Sequence, residues 1–283
     1  MNKISIVMRS RNDAEFAERT IRAILAQDYP DFELLAFDNA SSDGTREIIA
    51  KFPQIKIFDV PEGTYVPGKV LNEAVSHCSG VVVVFNNADA IVRDSQWLRN
   101  LTAPIFSGEA AATFARQLAR PDADPWVRLD YARSFSPRRR FSDTFFSMAS
   151  SAASAEVLRK HPFDDKIKFS EDVFWTRDLV KSGLVIKYVP DAVVEHSHNY
   201  TDDQLARRFS GEGEADARIY GTGTSVFSLV KGIIAAVLRD FMYLSSTGKY
   251  SDILKSARHR MTQKYSYFTA RNEAAKKYAK AAK

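Results

Sequence analysis

The chain has 283 residues, 45% of them hydrophobic, and 40 basic against 35 acidic side chains give it a net charge of +5 and a pI near 9.1. That length suits one large domain or one domain with an appendage, and the mildly basic balance favours anionic ligands or a membrane surface. A single cysteine, Cys78, excludes an internal disulfide framework and suits a reducing compartment. No apolar run is long enough to span a bilayer, and a strand pattern already under way at Ile4 argues against a leader peptide, so a cytoplasmic protein is expected.

Residues 4–8 (Ile-Ser-Ile-Val-Met) read as a first strand that stops at the polar stretch 9–13. Ala17, Ile21, Ile24 and Leu25 then have helical spacing, and Tyr29-Pro30 ends the helix. Residues 32–37 are a second strand closing on Asp38 and Asn39, after which Ser41, Ser42, Asp43 and Gly44 form a turn able to cap a helix over 45–52. A third strand is predicted over 55–60, a third helix over 68–78 and a fourth strand over 81–85. That last strand, four valines and a phenylalanine, is apolar without interruption, as expected for a strand buried on both faces. The β-α-β-α-β-α-β order argues for a doubly wound α/β sheet, with the polar strand ends 9–13, 38–39 and 86–89 converging on one edge, where such sheets place ligands. The glycine-rich dinucleotide and P-loop fingerprints are absent, so a nucleotide would be held by side chains from these loops. At the end of the valine strand, Asp89 suits a divalent cation that also holds substrate phosphates, or equally a cap for the turn over 89–95.

Further along, a helix is expected over 95–106, a strand over 111–117, a turn-rich loop over 120–125 and an irregular basic segment over 126–140. Its Arg138-Arg139-Arg140 run reads as solvated or phosphate-facing, because no nucleic-acid module surrounds it. A weak strand (145–153) and a short helix (154–161) precede a helix opening on Ser170-Glu171-Asp172 and ending at Gly183. Residues 184–189 form a strand, and Val193-Val194 leads into Glu195-His196-Ser197-His198. Beyond Thr201 the chain is helical, with Val226, Val230, Ile233, Ile234, Val237, Leu238 and Phe241 on one face. The tail carries Lys264, Arg271, Lys276, Lys277, Lys280 and Lys283 against one acid, Glu273.

The first strand to Asn12, the phrase Phe37-Asp38-Asn39-Ala40-Ser41-Ser42-Asp43-Gly44-Thr45, Asp89 after the fourth strand, and Glu171-Asp172 followed by Trp175 resemble the family-2 glycosyltransferases of GT-A fold. Residues 116–125 and 196–200 (His-Ser-His-Asn-Tyr) are similar to the branch called rhamnosyltransferases. The resemblance implies a GT-A type, Rossmann-like mixed sheet flanked by helices with a C-terminal helical extension. It also implies an inverting displacement of a sugar from a nucleoside diphosphate to an acceptor hydroxyl. L-Rhamnose from dTDP-L-rhamnose is the leading donor, and a UDP-hexose donor or a silent scaffold of the same fold are the alternatives. A nucleotidyltransferase usually shows a glycine-rich basic N-terminal loop, absent around 9–13.

On that resemblance, Asp89 and His196 are expected to hold a divalent cation, Mg2+ or Mn2+, and Asp172 to act as base with Glu171 beside it. Asp38 and Asn39 resemble the base- and ribose-binding pair, and Arg9, Arg11 and Lys69 are candidate base or diphosphate contacts. Asn87 stands where the family usually has the first carboxylate of a DxD pair, so it is expected to meet ribose or water rather than metal. His196 is also readable as a buried histidine bonded to backbone, and His198 as a phosphate or acceptor contact. Trp175 fits either beneath the acceptor or in the core, and His77, His161 and His259 read as structural or surface residues. The expected domains are 1–222, catalytic, with a donor half (1–117) and an acceptor half (118–222), and 223–283, a helical extension with a basic tail. The partners expected are a nucleotide sugar, a saccharide or lipid-linked saccharide acceptor, and a weakly bound anionic membrane surface, with no nucleic acid. A homo-oligomer is compatible with the sequence.

Overall fold

Alternating β-branched runs and amphipathic segments lay down β1 (Ile4–Ser10), α1 (Ala14–Leu25), β2 (Phe32–Asp38), α2 (Thr45–Ala50), β3 (Ile55–Asp59), α3 (Pro67–His77) and β4 (Val82–Asn87). There follow β5 (Ile91–Val92), α4 (Trp97–Phe106), β6 (Ala112–Leu118), α5 (Pro125–Ser134), β7 (Ser150–Ser154), α6 (Ala155–Lys160), α7 (Glu171–Lys181) and β8 (Ile186–Glu195). The chain closes with α8 (Asp202–Tyr220), α9 (Val226–Ser246) and α10 (Ile253–Ala281). This computed structural model describes residues 2–142 and 144–281; Lys283 of the basic tail, and the end residues 1 and 283 of the expected domains, lie outside the described residues. Two compact units divide the chain, one of residues 1–120 with 133–196, the other of 121–132 with 197–283.

In the first unit the described strands form one sheet in the order β3-β2-β1-β4-β7-β6-β8-β5. Strands β1 to β4 are parallel, β7 runs antiparallel to both β4 and β6, β6 and β8 are parallel, and β5 is antiparallel to β8. The sheet is therefore mixed. Successive residues of β4 alternate between its two faces, Val82 and Val84 packing into one apolar layer and Val83 and Phe85 into the other. That double burial explains why this strand has no polar alternation. One layer takes Ile21, Ile24, Ile49, Trp97 and Leu101 from the helices, the other Leu71, Ala74, Leu158, Trp175 and Leu179.

Several expectations are corrected. The segment 126–140 is not irregular, since its first half is α5. The weak strand at 145–153 is confined to β7, and the pieces at 184–189 and 193–194 are one strand, β8, with a register shift between Ala115 and Arg116 of its partner. The turn-cap reading of Asp89 gives way to strand β5, and α4 begins only at Trp97, where Asp94 Oδ1 accepts the Gln96 N–H at 2.9 Å. Trp175 is a core residue, 3% exposed, stacked on Phe163 at 4.9 Å, with its indole N–H donated to the His161 carbonyl.

The second unit is helical. Thr201 and Gln204 form a reciprocal capping box that starts α8. Helices α8 and α10 pack closely at Gly213, where a Cβ would come within 2.4 Å of the Tyr267 carbonyl oxygen. Between α9 and α10 lies a buried ion pair, Arg260 Nε to Asp240 Oδ2 at 2.6 Å, with Ser256 Oγ donating to the same oxygen and Arg260 Nη1 reaching Asp130 at 2.7 Å. Asp240 therefore sits on the packed face of α9.

Candidate active site

In-register pairing brings three strand ends to one level, Ser10 opposite Asp38 and Arg9 opposite Asn87. Asp38 is buried and organises the edge: its carboxylate accepts from Ser10 Oγ at 2.8 Å, Ser41 N at 2.9 Å and Ser41 Oγ at 2.7 Å. The loops after β1 and β2 are laced together by Asn12 N to Ser41 Oγ, Ser42 N to Asn12 Oδ1 and Asp13 N to Thr45 Oγ1. Beside it Asn39 is buried, and its Oδ1 has no partner among the described residues. The non-glycine residues with left-handed backbone, among those described, are Asn12, Ala40 and Ser170, at φ of 56°, 47° and 57°. Each adjoins a candidate site residue: Arg11, Asn39 and Glu171 respectively. Such conformations are costly for side chains with a Cβ and cluster where a site must be shaped.

Arg9 leaves the end of β1 and joins three elements. Its guanidinium donates to Asn87 Oδ1 at 3.2 Å and to Tyr65 Oη at 3.3 Å, and lies 3.5 Å from Glu171 at the start of α7. Burial works against this charge, but Tyr65, Glu171 and Asp172 outweigh it and hold the Arg9 pKa above its ordinary value. Asp172, next along, accepts the Val173 N–H at 2.9 Å, in the first turn of α7 where the helix dipole favours an anion.

On the other side of β4, Asp89 is buried and faces two groups. Arg120 Nη1 lies 3.7 Å away and His196 Nε2 3.6 Å away. The His196 ring is held by Gln117, whose Oε1 is 2.9 Å from Nδ1, while Gln117 Nε2 donates to Ser147 Oγ at 2.7 Å. With its amide N–H so used, Gln117 presents an oxygen to Nδ1, so the neutral ring carries its proton there and its Nε2 lone pair lies 3.6 Å from Asp89 Oδ2. Two acceptors facing each other need a cation or a proton between them. The same edge is rich in carboxylates: burial pushes Asp13 up to about 7, and Asp89, Asp43 and Asp38 add to the rise. The Asp89 carboxylate and the His196 imidazole nitrogen are a donor pair that fits a divalent cation, with Arg120 beside Asp89 as a neighbouring positive charge.

Arg9, Asp38, Asn39, Asn87, Asp89, Glu171, Asp172 and His196 thus belong to the first unit and lie at its strand ends or at the start of α7. Arg11 and Lys69 are exposed, and Lys69 lies on α3. His198 belongs to the second unit, where it stacks on Tyr200 at 5.0 Å. His77 is exposed with its ring tilted against Phe58 at 4.4 Å, and His161 pairs with Asp178. Sequence reasoning missed Gln117, Arg120, Tyr65 and Asp13 as site residues. Arg120, buried and 4.1 Å from the Phe16 ring centroid, follows β6 as Asp89 follows β4, a signal that was present in the strand pattern.

The sequence matches the family model Glycosyl transferase family 2 over residues 5–163. It is 27% identical over 261 residues to the O-antigen chain rhamnosyltransferase RfbN of Salmonella typhimurium, covering 84% of this chain and 82% of that one. It is 26% identical over 230 residues to the O-antigen chain rhamnosyltransferase WbaN of Salmonella anatum, covering 74% and 72%. Among solved structures, a mannosyltransferase from Pyrobaculum calidifontis in complex with GDP-Man and Mn2+ has a similar fold, with a TM-score of 0.64 at 19% identity over 94% of this chain and 85% of that one.

Proposed function

The chain belongs to glycosyl transferase family 2, and from that premise we propose that it transfers a hexose, with L-rhamnose from dTDP-L-rhamnose as the leading donor, in a metal-dependent inverting displacement. The acceptor is a hydroxyl of a growing surface polysaccharide or lipid-linked saccharide. Residues 1–117 supply the donor half, 118–222 the acceptor half and 223–283 the helical extension. One observation supports the reading most: the Ser147–Gln117–His196 relay that turns the imidazole lone pair toward Asp89.

In this reading Asp89 and His196 hold a Mg2+ or Mn2+ ion, which when bound offsets the charge of the departing nucleoside diphosphate. His198, two residues along the chain, is a further candidate for phosphate or acceptor. Asn39 offers the nucleoside a buried acceptor atom, and Asp38 braces the loop that presents it. Arg9, with Arg11 and Lys69 further out, supplies positive charge for the diphosphate, and Asn87 meets ribose or water. Asp172, in the first turn of α7 beside Glu171, is the carboxylate that removes the acceptor proton.

Thermal-shift titration with dTDP-L-rhamnose, UDP-glucose and UDP-galactose, each with and without Mn2+, tests the donor and the metal together. A ligand that binds only the native state raises its stability with occupancy. We expect the largest shift with dTDP-L-rhamnose plus Mn2+. For Asp89→Ala we expect loss of the Mn2+-dependent part and transfer lowered by about 10²–10³-fold or more. A clear preference for a UDP-sugar would replace the donor and leave the family intact; an unchanged Mn2+ response in Asp89→Ala would remove Asp89 from the metal site.

A further inference from the structure

Helix α9 is built inside out. Its packed face carries the buried Asp240 and the partly buried Arg239, which pairs with Asp240 and with Asp130, while Phe227, Val230, Ile234, Leu238, Phe241 and Met242 on the opposite face are 48–76% exposed. A soluble helix with a filled core places these residues the other way round. On α10, Leu254, Met261 and Tyr265 share one side by their spacing and are 83%, 56% and 62% exposed. The two helices are antiparallel, since Asp240 meets Ser256 and Arg260, Gly232 lies beside Lys264, and Thr224 N donates to Asn272. The apolar start of α9 therefore neighbours the last third of α10, where Lys276, Lys277 and Lys280 are exposed against a single exposed acid, Glu273. Lys231 is the charge within the apolar face itself, and Lys255 and Arg258 are exposed on α10.

We propose that this side of the second unit is a membrane-seating face, with α9 lying in the plane of an anionic phospholipid surface. Among the described residues no helix is long and apolar enough to cross a membrane, so the geometry is that of a helix on the bilayer. The charge selects the occupant. A second copy of this chain would set the lysine-rich surround against itself, a like-charge contact that opposes association, whereas anionic headgroups neutralise it. Large apolar side chains enter the acyl boundary while the lysines stay at headgroup level. The inference does not depend on the proposed activity, although a lipid-linked acceptor would make the seating useful by confining enzyme and substrate to one plane.

Flotation of the full chain with vesicles tests the face. With equal parts phosphatidylglycerol and phosphatidylcholine, the wild type is expected to float; with phosphatidylcholine alone it should bind much less. Replacing two exposed residues, Phe227→Ser with Leu238→Ser, should lower the partition onto the mixed vesicles by about tenfold or more, because each withdraws a large apolar side chain from the acyl boundary. The triple change Lys276→Gln, Lys277→Gln and Lys280→Gln should flatten the salt dependence. Circular dichroism and melting temperature show whether each variant keeps its fold, and a folded Phe227/Leu238 variant that floats like the wild type overturns the proposal. So does equal wild-type binding to both vesicle types, or none to either. A wild-type dimer in light scattering that this variant converts to monomer assigns the face to self-association instead.

Discussion

Asp172 and Glu171 show how neighbours with the same chemistry come to sit in different surroundings. Both open α7, but the Arg9 guanidinium lies 3.5 Å from Glu171, while Asp172 takes the N–H of Val173. Changing Asp172 to Asn keeps the shape and removes the proposed base, so transfer should fall by about 10²–10⁴-fold while donor affinity, read by thermal shift, persists. An unchanged rate would make Asp172 a helix-start charge only. A second residue, His259, contributes to the pH response of the second unit. Burial, together with the adjoining Arg260 charge, pushes its imidazole from the ordinary 6.5 down to about 4. The unfolded chain then gains a proton at a pH where the folded chain does not. Stability should be intact above about 6.5 and decline as the pH falls toward about 4, by of the order of 2 kcal/mol at its full extent. Urea midpoints at about pH 7 and about pH 5 should therefore differ less for His259→Gln than for the wild type.

At the scale of elements, β4 and α9 are a contrasting pair. β4 is apolar because both faces of the strand are covered, and this was readable from composition alone. α9 is apolar on the face that is left open, and the periodicity that identified a helix does not say which side packs. The seven apolar residues assigned to one face divide: Ile233 and Val237 are partly covered, whereas Val226, Val230, Ile234, Leu238 and Phe241 are exposed. The cause is the Asp240–Arg260 pair, 1% and 2% exposed in its side chains, which anchors the polar side of α9 inward. Arg260→Met leaves Asp240 as a buried charge that has lost this partner. It should cost about 3–5 kcal/mol, while Arg260→Met combined with Asp240→Leu should recover much of the loss. Chemical unfolding of the single and double variants checks this, and equal losses would show that the pair is not coupled.

For the whole molecule, the basic tail is part of the architecture rather than a solvated end. Tyr267 bonds Asp216 on α8, Arg271 Nε donates to the Thr222 carbonyl at 3.0 Å, and Ala274 is buried. Removing residues 264–283 would strip α8 of its packing partner. Such a truncation is expected to expose apolar surface and lower the melting temperature or yield aggregates, while the lysine-to-glutamine changes leave the melt unaltered. A truncated chain melting like the wild type would refute this account of α10.

The sequence by itself determined the order of the first four strands and three helices of the first unit and the carboxylates and histidine at the strand ends, and its resemblance to a family supplied the mixed sheet. These depend on local periodicity and on short phrases such as 37–45, and local physics is written along the chain. The relay through Ser147, Gln117 and His196, and the place of Arg120 beside Asp89, were decided only by tertiary structure. Gln117 and His196 are 79 residues apart and meet because β6 and β8 are parallel neighbours in register, a pairing that no local pattern encodes. The same holds for α9: its periodicity says helix, but which face is covered depends on where Arg260, 20 residues away, finds its partner. Propensity acts over a few residues, whereas burial and charge pairing are properties of the folded neighbourhood.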